Sequence, residues 1–199
     1  MLESTRVFIA IAIPKSLEQK LAQLQTELAP AVQGFRWASA LPFHLTLTFL
    51  GEIPNRDLNA IGQIAEESAQ PIEPFELEVK GLGAFPSPGR PRVIWAGVTA
   101  PNLKPLFDLQ ESLAGSLERI GHPPDDRRFN PHVTLGHRKH GRGGAASLAG
   151  LIERYSLWSA GQFRVADVQV FASTPGRAGS VYTVLSEGAL VGKKTEGHA

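Results

Sequence analysis

Apolar and polar positions along the chain recur at two periods, and the switches between them mark out the elements. Residues 6–13, RVFIAIAI, are short, apolar and rich in isoleucine, which predicts a buried strand. Leu17, Leu21, Leu24 and Leu28 then form one helical stripe, opened by Pro14 and closed by Pro30. PFHLTLTFLG, 42–51, returns to alternation: His44 and Thr46 share one strand face, while Phe43, Leu45, Leu47 and Phe49 share the other. Leu58, Ile61 and Ala65 predict a helix to about residue 68, FELEVK at 75–80 a strand, and GLGAFPSPGRP at 81–91 a loop or hinge.

The order then repeats. RVIWAGV, 92–98, reads as a strand, and Leu106, Leu109, Leu113, Leu117 and Ile120 as a helical stripe. RFNPHVTLGH carries a short strand with His132 and Thr134 on one face and Val133 and Leu135 on the other. A glycine-rich connection or flap follows at 139–146, with Gly141, Gly143 and Gly144, then a weak helix to about Tyr155 and strands near 163–172 and 181–186. Each half therefore runs strand, helix, strand bearing His-x-Thr, helix, strand. From the start of the first strand to the histidine is 38 residues in one half (6 to 44) and 40 in the other (92 to 132). The expected organisation is one domain over 1–199 with two pseudo-repeated halves, about 6–81 and 92–186, and a flexible tail at 187–199.

Composition narrows the class. Hydrophobic content of 42% and charged content of 20% are those of a globular chain. No apolar run reaches the roughly 18 residues of a membrane span. Glu3 and the lack of a small-residue cleavage site make the N-terminal apolar run a strand and not a signal peptide. With no cysteine, disulfides, thiolate metal sites and cysteine nucleophiles are excluded, which suits the cytoplasm. A net charge of +1 is too small for a general nucleic-acid binder. Arg127, Arg128, Arg138, Lys139 and Arg142 cluster around the second histidine, and Arg90 and Arg92 form a smaller group; each cluster alone reads as solvated surface.

One His-x-Thr on a strand is ordinary, but two copies at the same place in a repeated unit are not. If the halves pack about a pseudo-twofold axis, two imidazoles and two hydroxyls line one cleft. Imidazole titrates near neutrality, so one ring can accept a proton while the other donates one. Hydroxyls suit a phosphoryl group whose geometry changes during reaction. His132, His137 and His140 crowd one segment, yet no His-Glu-x-x-His or carboxylate-rich pattern accompanies them, so no metal is expected. His122 and His198 read as loop and tail surface. No Gly-x-Ser-x-Gly elbow and no P-loop appears.

RVFIAIAIP, RWASALPFHLTLTFLGE, GLGAFPSPGRPRVIWAGV, FNPHVTLGH and the late FAS and VYTVL segments together resemble the two-histidine (2H) phosphoesterases. Within them the chain is similar to the RNA 2',3'-cyclic phosphodiesterases, also called 2'-5' RNA ligases of the LigT type. The resemblance implies an α+β, bilobal, pseudo-twofold fold, with two small antiparallel sheets lining a cleft and helices outside. It implies no cofactor and no metal. By this resemblance His44 would be proton donor and His132 proton acceptor, opening an RNA-terminal 2',3'-cyclic phosphate to a 2'-phosphate, while Thr46 and Thr134 hold the phosphoryl oxygens. The expected partners are RNA 3' ends or small cyclic nucleotides, with no membrane and a monomer sufficing. The alternatives are 2'-5' ligation as the main activity, hydrolysis of small cyclic nucleotides, or a non-catalytic module binding RNA ends. The family often carries an arginine five residues after the second histidine; here His137 stands there and Arg138 follows, and a one-residue shift turns a strand side chain to the other face. Arg138 is carried as a candidate phosphate contact. Phe8, Phe43, Phe49 and Trp37 are the aromatic residues near the first motif, with Phe49 expected in the core and Trp37 as an open stacking candidate.

Overall fold

The computed structural model describes residues 3–38, 42–123, 128–139, 148–176 and 179–192. In chain order the elements are β1 (Ser4–Ala12), α1 (Lys15–Leu28), β2 (Phe35–Trp37), β3 (His44–Pro54), a 3-10 turn (Asn55–Asp57), α2 (Leu58–Ala69), β4 (Phe75–Phe85), β5 (Val93–Thr99), α3 (Lys104–Arg119), β6 (His132–Arg138), α4 (Ala149–Arg154), β7 (Ser159–Val165), β8 (Asp167–Gly176) and β9 (Gly179–Ala189). The expected hinge at 81–91 is shorter than its glycines suggest. β4 continues through Gly81–Phe85 because Leu82 and Ala84 pair with Ala96 and Ile94 of β5 and bury against the core. The stretch expected as one strand at 163–172 is divided between β7 and β8, which diverge at Ala166 to opposite ends of the sheet. β9 runs to Ala189 and Leu190 is buried, so ordered chain extends beyond residue 186.

All strand pairs are antiparallel, in the order β7-β4-β5-β6-β3-β1-β8-β9, with β2 added on β6. Read from its two ends, this order is the same motif twice. β5 and β6 stand to each other as β1 and β3 do; β4 joins β5 as β8 joins β1; β7 and β9 close the outer edges. The repeated halves therefore interlock, since β4 from the first half completes the second lobe and β8 from the second half completes the first. A single residue pair, Leu45 opposite Val133, joins β3 to β6 and makes one curled sheet of the two lobes.

Helices cover one face of this sheet. α2 packs on β8 and β9 with α3 beside it, while α1 reaches β7 and α4 lies against β4. Leu21, Leu24 and Leu28 of α1 and Leu106, Leu109, Leu113 and Leu117 of α3 are all fully buried, so both leucine stripes do what their spacing predicts. Each such side chain contributes about 1.5–3 kcal/mol relative to exposure. The opposite face carries a separate apolar patch of Phe8, Ala10 and Phe171, with Ala12 and Tyr182 against it. That is the face of the histidines. Among the described residues no helix is long and apolar enough to cross a membrane.

Candidate active site

The Leu45–Val133 pair sets the geometry of the site. Both side chains point into the core with no exposure, so their neighbours along each strand point the other way. In antiparallel strands this puts His44 on the side of Thr134 and Thr46 on the side of His132. The two histidines become diagonal neighbours, a relation that spans about 7–8 Å in a regular pair. The rings are close enough for the charge of His132 to bear on His44.

Both rings are oriented alike. Nδ1 of His44 lies 3.0 Å from the Pro42 carbonyl oxygen, and Nδ1 of His132 lies 2.7 Å from that of Asn130. A carbonyl can only accept, so Nδ1 carries the hydrogen in each ring and Nε2 is the atom that titrates. The approach to His44 is held from α1. Phe43 donates its N–H to the buried Glu18 carboxylate at 2.9 Å and accepts from the Ile13 N–H at 2.7 Å. Glu18 was invisible as a site residue because it sits next to the leucine stripe like any helix-surface charge.

Aromatic rings wall both histidines. Phe8 lies 4.8 Å from His44 between centroids, and Tyr182 meets it edge-on at 5.1 Å. Phe85 meets His132 edge-on at 4.9 Å, with Trp95 at 6.0 Å. Burial among these rings holds the pKa of His44 below its usual 6.5; the Pro42 hydrogen bond opposes that shift and the His132 charge adds to it.

Each histidine strand bulges at the same place. Ala10 and Ile9 of β1 face Thr46 and Thr48, leaving Leu47 as an extra residue; Trp95 and Ile94 of β5 face Thr134 and Gly136, leaving Leu135 extra. The Leu135 carbonyl released by its bulge accepts from Gln25 Nε2 and the Ala38 N–H, both at 2.8 Å. Each bulge reverses the alternation. Phe49 and His137, each five residues after a histidine, return to the histidine face, while Thr48 and Gly136 turn to the core. Phe49 is thus 54% exposed and 6.0 Å from Phe8, correcting the expectation that it packs in the core. Alternation alone cannot register an extra residue.

The same bulge separates His137 from Arg138. His137 pairs with Val93 and with Arg36 of β2, on the histidine face. Desolvation first, then the Arg36 and His132 charges, hold its pKa below 6.5. Arg138 pairs with the buried Phe35 and leaves the strand on that side. The structure therefore brings together His44, Thr46, His132, Thr134 and His137, and does not bring Arg138 to their face. Trp37 lies over Gly136 and packs against the core, as Phe43 does, so neither is placed to stack a base. Arg36, Arg6 and Tyr182 were not singled out from sequence; for Arg6 the signal was present, since Arg6, Phe8 and Ala10 alternate onto one face. Among the described residues no three His, Asp or Glu side chains converge as a metal site would require. Arg127, His140, Arg142, His198 and the glycines of the 139–146 connection lie outside the described residues.

The chain is similar to known proteins. The family model for LigT-like phosphoesterases matches the chain twice, over residues 11–95 and 98–182, one match to each half. The chain belongs to the LigT-like phosphoesterase family. It is 32% identical over 178 residues to the RNA 2',3'-cyclic phosphodiesterase of Methanothermobacter thermautotrophicus, covering 89% of this chain and 95% of that one. The protein of the same name from Aquifex aeolicus is 30% identical over 184 residues, with 92% and 95% covered. Among solved structures, a Thermus thermophilus protein superposes with a TM-score of 0.74 at 30% identity, over 95% of this chain and 100% of that one. E. coli LigT complexed with 3'-AMP gives 0.74 at 26% identity, over 94% and 99%.

Proposed function

We propose that this chain hydrolyses RNA-terminal 2',3'-cyclic phosphodiesters to 2'-phosphomonoesters by metal-independent acid–base catalysis. The observation that carries the proposal is the matched pair of imidazoles. Each is pinned through Nδ1 to the carbonyl two residues earlier, each shares its strand face with a threonine, and the four side chains surround one seam. The relatives that match most of the chain bear the name of this activity.

In this reading Nε2 of His132 takes a proton from water as its oxygen attacks phosphorus. The bond from phosphorus to O3' breaks, and Nε2–H of His44 protonates the departing O3'. Thr46 and Thr134 donate hydroxyl hydrogen bonds to the non-bridging oxygens, which gather charge in the transition state. An anionic diester beside His44 opposes the burial that lowers its pKa in the free protein, and so favours the protonated ring. All four groups come from one chain, so a monomer is sufficient, and the absence of cysteine suits a cytoplasmic address.

The test is incubation with a short RNA ending in a 2',3'-cyclic phosphate, in excess chelator, with identification of the phosphate position. The expected product is the 2'-phosphate, and His44→Ala and His132→Ala should each lower turnover by at least about a hundredfold. A fully active His132→Ala variant, or strict dependence on added metal, would sink the reading.

A further inference from the structure

A groove beside Tyr182 takes no part in the chemistry above. It encloses about 500 Å3 and is lined by Arg6, Arg36, Glu52, Ser173 and Ser180, with the ends of β8 and β9 at Gly176 and Gly179. Arg6 comes from β1 and Arg36 from β2, so the guanidiniums enter from the two lobes. Among the described residues neither makes an ion pair. Glu52 stands opposite Arg6 in the β1–β3 pairing, yet its carboxylate accepts the Ser4 hydroxyl at 3.3 Å. Two guanidiniums against one carboxylate leave the groove cationic, and the serines add hydroxyl donors.

The groove borders the site through Arg36 and Tyr182. Arg36 stands across from His137 in the β2–β6 pairing, and the charges of Arg6 and Arg36 both reach Tyr182. The Tyr182 ring in turn packs edge-on against His44 at 5.1 Å. One aromatic ring therefore packs on His44 and also feels both guanidiniums. Arginine's planar fork suits phosphate oxygens, and binding pockets for small molecules begin near 300 Å3, so a nucleoside's worth of ligand fits.

We propose that this groove binds the phosphate on the 5'-oxygen of the terminal nucleoside, so that the enzyme selects phosphorylated ends over free nucleoside cyclic phosphates. The proposal rests on the hydrolysis proposed above and names the substrate for it. In RNA the next anion along the chain is one ribose from the reacting phosphoryl group, and the Tyr182 ring that packs on His44 adjoins the groove at Ser180. An internucleotide diester and a 5'-monophosphate present the same oxygens to the arginines, so the experiment must separate these two sources.

Three substrates of one base are compared: a nucleoside 2',3'-cyclic phosphate with a free 5'-hydroxyl, the same compound with a 5'-phosphate, and a dinucleotide ending in the cyclic phosphate. The dinucleotide is expected to exceed the first in kcat/KM by at least about tenfold, the worth of one charge-assisted contact, chiefly through KM. Arg6→Gln and Arg36→Gln should each remove most of that advantage while the 5'-hydroxyl compound is turned over as before, which also shows that the variants are folded. A gain shared by the 5'-monophosphate means that small nucleotides use the groove too; a gain confined to the dinucleotide assigns it to the RNA chain. Equal kcat/KM for all three substrates overturns the proposal and leaves the hydrolysis standing. Arginine variants that slow all three equally also overturn it, since the guanidiniums would then act on the reacting phosphate. No hydrolysis of any substrate overturns the underlying activity and this proposal with it.

Discussion

His44 sits where burial disfavours its charged form, and the proposed donor role requires that form. Burial beside Phe8, Tyr182 and Phe171 favours the neutral ring, while the Pro42 carbonyl and an incoming anion favour the charged one. The sign of the expected change is therefore fixed. In the free protein the His44 Nε2 resonance should titrate with a midpoint below 6.5, and a bound nucleoside 2'-phosphate should move that midpoint upward. NMR titration with and without the ligand reads both values, and an unchanged or lower midpoint in the complex would speak against a donor role. The threonines carry no such burden; they need only a hydroxyl on the histidine face, which the Leu45–Val133 pair guarantees.

At the scale of the strand, the bulges at Leu47 and Leu135 matter more than any one side chain. They let strands that begin with His-x-Thr on the cleft present a second outward residue, Phe49 or His137, without a polar residue following in register. The one cost visible is Thr48, which the first bulge turns into the core with its hydroxyl unpartnered among the described residues. Thr48→Val should raise stability by about 1 kcal/mol, read as a higher urea midpoint at unchanged slope. A lower midpoint would mean that the hydroxyl has a partner. The bulges also explain what the sequence left hidden. His44, Thr46, His132 and Thr134 were legible because they precede the irregularity and repeat in both halves. Phe49 is misplaced by alternation because periodicity counts residues and cannot count an extra one. β4 was cut short for a related reason, since glycine and proline signal a turn locally while pairing with β5 decides the matter.

The whole molecule is two repeats that cannot be pulled apart. β4 leaves the first half to pair with β5 and β7, and β8 leaves the second to pair with β1. A polypeptide cut after Ser87 would leave β4 without partners on either side and β1 with only β3. Each half produced alone is therefore expected to lack a cooperative unfolding transition by circular dichroism, and mixing the halves should restore one. Two independently folded halves would contradict the interlocked order. The interlocking also has a functional side. It ties each histidine strand to the other through one pair at the centre, so the two histidines are held by the same curled sheet.

The proposed division of labour between two similar imidazoles is open to test by a change of leaving atom. A 2',3'-cyclic phosphate with sulfur in place of O3' releases a thiolate, which needs no proton on departure, whereas attack by water still needs a base. Rates of the wild type, His44→Ala and His132→Ala on the oxygen and sulfur substrates would be compared. The sulfur substrate should restore most of the activity lost in His44→Ala and none of that lost in His132→Ala. Rescue of His132→Ala alone would reverse the two roles, and equal impairment of both variants on both substrates would contradict acid–base catalysis by the pair.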